Sequence, residues 1–186
     1  MIDDAQAVEA QPAPARKISI VAQVESATAL LLSVTVLFFL IIRATSAGAL
    51  WRDEAATLQL SQMPIGEIFS NFQHEAFPPP FPLLIRAYTA LFGASDASLR
   101  WFGFGVGVTL LVTAWSNSRK LGDRGPLFFL ALFGLNATFL TWGTSLRGYG
   151  IGCVFLILTI GLTASAIRNP TKVNAVAATI TSIGAI

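Results

Sequence analysis

Charge is what this sequence has least of. Asp, Glu, Lys and Arg make up 12% of its 186 residues and hydrophobic residues 54%, whereas soluble domains carry about 25% charged residues. With half that share the chain cannot clothe a water-facing surface, which excludes an ordinary soluble domain, and its apolar content excludes a disordered one. Cysteine occurs once, at Cys153, which excludes a disulfide scaffold. Histidine also occurs once, at His74. It has Glu75 beside it, but a catalytic zinc site takes three protein ligands, so a polar interfacial residue is the better reading. A net charge of +2 is too small to mark a nucleic-acid binder. What remains is an integral membrane protein.

Long apolar runs are what the sequence does have. They predict an all-α, polytopic membrane helix bundle with spans at about 24–43, 99–117, 126–143, 149–167 and 173–186. Residues 1–23 read as a disordered cytoplasmic tail, and 24–186 as the membrane domain. The last run has no closing charge or cap, so the chain reads as the N-terminal portion of a longer protein. Cleavage after Ala47-Gly-Ala49 competes with the first span, but that leader is too long and too acidic for a signal peptide.

Between the first two spans, residues 44–98 form one outer loop. In it Ile65, Ile68, Phe69 and Phe72 repeat at helical spacing, as in an interfacial amphipathic helix. After Pro78-Pro-Pro-Phe-Pro82, the stretch Leu83–Phe92 is too short to span and reads as interfacial or re-entrant. If it does not span, Arg16, Lys17, Arg119, Lys120, Arg124, Arg168 and Lys172 all share one side, which the positive-inside rule makes cytoplasmic. The expected location is the cell membrane, with the outer loop and Thr144–Gly148 on the extracytoplasmic face.

That face gathers the residues able to do chemistry. Asp53-Glu54 follows the first span, and adjacent helical residues do not face the same way, so one of the two points into any site. Either carboxylate can serve as a general base, or both can be a solvated pair closing a span. Arginine forks bind phosphate and stay charged at low dielectric. Arg52, Arg86, Arg100 and Arg147 lie there; Arg100 reads as a snorkelling residue at the start of its span. Gly103-Phe-Gly-Val-Gly107 and Gly148-Tyr-Gly-Ile-Gly152 carry the small-residue spacing that lets helices approach closely in lipid. Cys153 falls mid-span as inert core.

In chain order, Trp51-Arg-Asp-Glu54, Pro78-Pro-Pro-Phe-Pro-Leu-Leu84, Leu91-Phe-Gly93, Ser98-Leu-Arg100 and Ser145-Leu-Arg-Gly-Tyr149 follow an apolar span. Over about residues 25–170 this resembles the N-terminal part of membrane glycosyltransferases of the GT-C fold, family 39, the group of protein O-mannosyltransferases and aminoarabinose transferases of lipid A. The resemblance implies transfer of a sugar from a polyprenyl-phosphate-linked donor to an acceptor hydroxyl, with inversion, on the extracytoplasmic face. It implies Asp53 as the base and Arg147, matching the family's Arg-x-Tyr, beside the leaving phosphate. Phe77 and Ser145 stand where many relatives carry His and an acid. The candidate site is therefore Asp53 and Glu54 as catalytic carboxylates, with Arg147, Tyr149, Arg86, Arg52 and His74 binding substrate. The partners are the lipid-linked donor, an acceptor that is protein, lipid or glycan, and membrane lipid. No cofactor or metal is demanded, because arginine can neutralise a monophosphate leaving group. Two other classes compete: a segment of a transporter, which should carry charge near the bilayer midplane, and a truncated, non-catalytic assembly partner.

Overall fold

The structure, a computed structural model, describes residues 19–72, 80–122 and 124–185. It is an all-α membrane helix bundle, and among the described residues there is no strand. Among the described residues three helices are long and apolar enough to cross a membrane: α1 (Ile20–Ser46), α5 (Asp96–Gly122) and α8 (Tyr149–Arg168). Shorter helices fill the gaps: α2 (Arg52–Gln62), α3 (Ile65–Ser70), α4 (Pro80–Phe92), α6 (Leu127–Phe129), α7 (Ala137–Gly143) and α9 (Lys172–Gly184).

The first helix begins four residues earlier than the tail expected over 1–23 allows. The Ser19 side chain accepts the Ala22 N–H at 3.2 Å, so a serine N-cap starts α1 at Ile20. Residues 1–18 of that tail lie outside the described residues.

Helices α1 and α5 run antiparallel: Trp115 Nε1 donates to Ser33 Oγ at 2.9 Å, and Gly107 packs against Leu40. Helix α8 runs parallel to α5. Near their starts, Gly150 packs against Val106; farther along, Asn117 Nδ2 donates to the Ile157 carbonyl, and finally the Arg168 guanidinium donates to the Lys120 and Leu121 carbonyls at 2.6 and 2.9 Å. Helix α9 folds back on α8, with Gly184 against Phe155. Leu30, Leu31, Val34, Phe38, Val112, Leu156 and Ile160 are exposed along these helices. In water that surface would be strongly unfavourable; in lipid it is the expected outer coat.

The glycine stripes divide by face. A methyl group on Gly103 would collide with the Thr144 carbonyl, one on Gly107 with Leu40, and one on Gly150 with the Gly143 carbonyl and Val106. Gly105 and Gly152 face open space. The small residues therefore bring α5 against α1 and against the backbone that leads into α8.

The span expected over 126–143 is not one helix. It is α6, then a π turn over Leu130–Gly134, a break, and α7. Two residues account for the break. Gly134 lies against Val36 of α1, so the backbone approaches its neighbour closely. The Asn136 side chain accepts the Phe139 N–H at 3.0 Å and starts a new helix instead of continuing the old one. Such backbone is tolerated at membrane depth where protein covers it, and Leu130 and Gly134 are buried among Ala29, Val36 and Leu40.

Helices α2 to α4 cluster at the bundle end where α1 finishes and α5 and α8 start. The cluster rests on a core of Phe81, Ile85, Leu99 and Leu146, with Leu50, Leu58 and Tyr88 packed on it. In the expected amphipathic stretch only Ile68 is fully buried, Phe72 is partly so, and Ile65 and Phe69 are exposed. At 13 residues α4 is about 20 Å long, short of the roughly 30 Å hydrocarbon core. Tyr88 fastens it by donating to the Ser98 carbonyl of α5 at 2.9 Å.

Candidate functional site

The sequence offers Asp53 and Glu54 as neighbours in the first turn of α2, and the helix separates them. Glu54, 3% exposed, turns inward. As the third residue of α2 its carboxylate reaches back to accept the Trp51 N–H at 2.9 Å, which closes the start of the helix. It also accepts two bonds from Arg100 Nη1, at 2.9 and 3.0 Å, and the Leu146 N–H at 2.9 Å. Four hydrogen bonds use the acceptor capacity of a carboxylate, so Glu54 holds the structure together and is removed from the catalytic pair.

Arg100 is likewise no snorkelling residue. Its side chain is 9% exposed, and its other nitrogens donate to the Gly48 and Ala49 carbonyls at 3.4 and 2.7 Å. One guanidinium thus joins α5, α2 and the α1–α2 link. The link turns at Gly48, whose φ of +67° suits glycine. Burial of such a pair is tolerable because every charge has fixed partners.

Asp53 faces the other way. Its side chain is 49% exposed, and its carboxylate lies 4.0 Å from Arg147 Nη2. Arg147 Nη1 approaches the Asp53 carbonyl at 3.5 Å, and its guanidinium lies 5.8 Å from the ring centre of Tyr149. Arg147 reaches this position because Leu146, one residue before it, is pinned to Glu54. The Thr144–Gly148 loop is also pressed onto Gly103 of α5. Asp53, Arg147 and Tyr149 therefore meet at one partly open edge.

The other candidates do not join them. Arg86 donates to the Met63 and Ser61 carbonyls at 2.6 and 3.4 Å, closing the far end of α2. Along the α2 axis that is roughly 13 Å from Asp53. Arg52 is exposed and makes no ion pair among the described residues. His74 lies outside the described residues. Among the described residues no three His, Cys, Asp or Glu gather into a metal-binding group.

Two arginines carry more of this end than the sequence suggests. Arg100 holds the Glu54 knot. Arg43, which reads only as the charge closing the first span, donates through Nε to Thr144 Oγ1 at 2.8 Å and so ties α1 to the same loop. The signal for both was their position at the ends of apolar runs, which equally suits snorkelling.

What this edge can do chemically is limited and definite. A carboxylate open to an incoming hydroxyl stands beside a guanidinium that can face developing negative charge. No protein-family model, no curated protein and no solved structure matches the chain.

Proposed function

We propose that the protein transfers a sugar from a polyprenyl-phosphate-linked donor to an acceptor hydroxyl, with inversion, on the extracytoplasmic face of the cell membrane. Asp53 accepts the hydroxyl proton as the oxygen attacks the anomeric carbon. The bond from that carbon to the phosphate oxygen breaks, and the phosphate leaves with the electron pair beside Arg147. Tyr149 borders the same edge.

The observation that supports this reading is the meeting of Asp53 with Arg147, which are 94 residues apart in sequence, at a half-exposed position. The Glu54 knot is what keeps them together. The orientation rests on the positive-inside rule: Arg119, Lys120, Arg124, Arg168 and Lys172 lie at or beyond the opposite ends of α5 and α8.

The test compares wild type with Asp53→Asn in membranes supplied with radiolabelled polyprenyl-phosphate sugars at matched expression. Loss of the base should slow transfer roughly 10²- to 10⁴-fold. Equal transfer by both removes Asp53 from catalysis, and no transfer by wild type with any donor of a broad panel removes the enzyme reading.

A further inference from the structure

On the other side of the Glu54 knot from Asp53 is a cavity of about 330 Å³, bordered by Arg43, Arg100, Glu54, Trp51, Trp142 and Ser145. Neither Asp53 nor Arg147 lines it. Its charges do not cancel. Arg100 and Glu54 neutralise each other through two hydrogen bonds, and Arg100 uses its remaining nitrogens on Gly48 and Ala49. Arg43 is left over. It is partly buried, no carboxylate of the described residues lies in ion-pair range, and its single hydrogen bond is from Nε to Thr144 Oγ1.

That one bond orients the side chain. Thr144 Oγ1 accepts from Arg43 and donates to the Leu140 carbonyl at 2.6 Å, so its position is set by α7. With Nε held, both Nη groups of the guanidinium remain without a hydrogen-bond partner among the described residues. Ser145 does not compete for a ligand, since its hydroxyl donates to the Trp142 carbonyl at 2.7 Å. The rest of the wall is Ala47, Ala49, Leu50 and Thr141 with Trp51 and Trp142, the last two 63% and 44% exposed.

The attraction of Glu54 for Arg43 is opposed by the repulsion of Arg100, which leaves a partly buried cluster with net positive charge, and a fork with free Nη groups matches a tetrahedral oxyanion in bidentate fashion. The depth selects the kind of anion. The apolar run of α1 ends at Ile42 and Arg43 follows it, which is the level of the phosphate groups of a bilayer. We infer that this cavity binds a phosphate-bearing anion on the Arg43 Nη groups, between Trp51 and Trp142, as a site separate from the Asp53–Arg147 edge. The inference does not depend on the transferase reading. The same chemistry is offered by an anionic phospholipid headgroup and by a free phosphate.

The test uses the full chain, purified in dodecyl maltoside without phosphate and stripped of lipid. Inorganic phosphate is titrated in one arm and phosphatidylglycerol in the other, with tryptophan fluorescence and native mass spectrometry as readouts. Wild type should bind one equivalent saturably. Response to phosphatidylglycerol alone identifies a lipid headgroup, and response to inorganic phosphate a soluble ligand. Arg43→Gln should weaken binding roughly tenfold or more, as expected for a charge-assisted bond. Arg43→Lys, which keeps the charge and loses the fork, should fall between the two. Lys172→Gln, at the opposite end of the bundle, should bind as wild type does. Trp142→Leu alters a wall without breaking a hydrogen bond that holds the loop, and should also weaken binding if Arg43→Gln fails to fold. Absence of saturable binding to wild type, unchanged affinity in both Arg43→Lys and Trp142→Leu, or equal loss in Lys172→Gln would overturn the inference.

Discussion

Two ion pairs sit one residue apart on α2 and could hardly differ more. Glu54 with Arg100 is buried, bonded at 2.9 and 3.0 Å and joined by two backbone N–H groups. Asp53 is half-exposed, its partner Arg147 is only 12% exposed, and the two meet at 4.0 Å. The first has no capacity left for a new partner. The second leaves the Asp53 carboxylate open on one side. Residue type is nearly the same in both pairs, so the helix, by turning successive side chains about 100° apart, assigns one to structure and the other to the open edge.

The strongest way to break this contrast is to remove Glu54. Glu54→Ala leaves Arg100 buried without its counter-charge, and should cost about 3–5 kcal/mol. Denaturant unfolding in detergent would read the loss, together with a low folded yield. A neutral effect would mean that the knot is incidental. Gly150→Ala comes next. The added methyl meets the Gly143 carbonyl and Val106 and should cost about 1–3 kcal/mol, displacing the loop that carries Arg147. A thermal midpoint unchanged from wild type would show that α8 shifts freely. The smallest effect belongs to the outer pair. Asp53→Asn should change stability by less than about 1 kcal/mol, because its carboxylate is half-exposed and meets Arg147 only at 4.0 Å. A loss as large as that of Glu54→Ala would erase the distinction between the two carboxylates. Salt should separate them too: screening weakens the outer pair and leaves the buried one largely untouched, so wild-type unfolding in detergent should shift little between about 0.05 and about 0.5 M salt, over which the Debye length falls roughly threefold.

Much of the fold can be read from the apolar runs. Those near Ala27–Ile42, Leu99–Trp115 and Tyr149–Ile167 form α1, α5 and α8, because twenty apolar residues have few alternatives. The broken stretch between Leu127 and Gly143 is harder, since its composition matches a span and the interruption rests on one side chain, Asn136, and one close approach at Gly134. Helix α2 gives a weak signal as well. Glu54 lies where a capping-box acid should be, but Trp51 replaces the Ser or Thr that usually marks the start. The site was legible as a set of residue types on one face. Its division was not, because the partners of Glu54 lie 46 and 92 residues away and no local pattern announces them. Arg86 looked like Arg147 in sequence, and only the fold sends it to the carbonyls that end α2.

The Glu54 knot also imposes a schedule on biogenesis. Its last bond waits for Leu146, which a ribosome adding 5–20 residues per second supplies roughly 5–20 s after Glu54 itself. During that interval the carboxylate has at most Trp51 and Arg100 for company, and the helices already inserted are held to one another without the loop that later locks them. The order of synthesis therefore places the open edge at Asp53 after α1 to α5 and before α8 and α9 have been made.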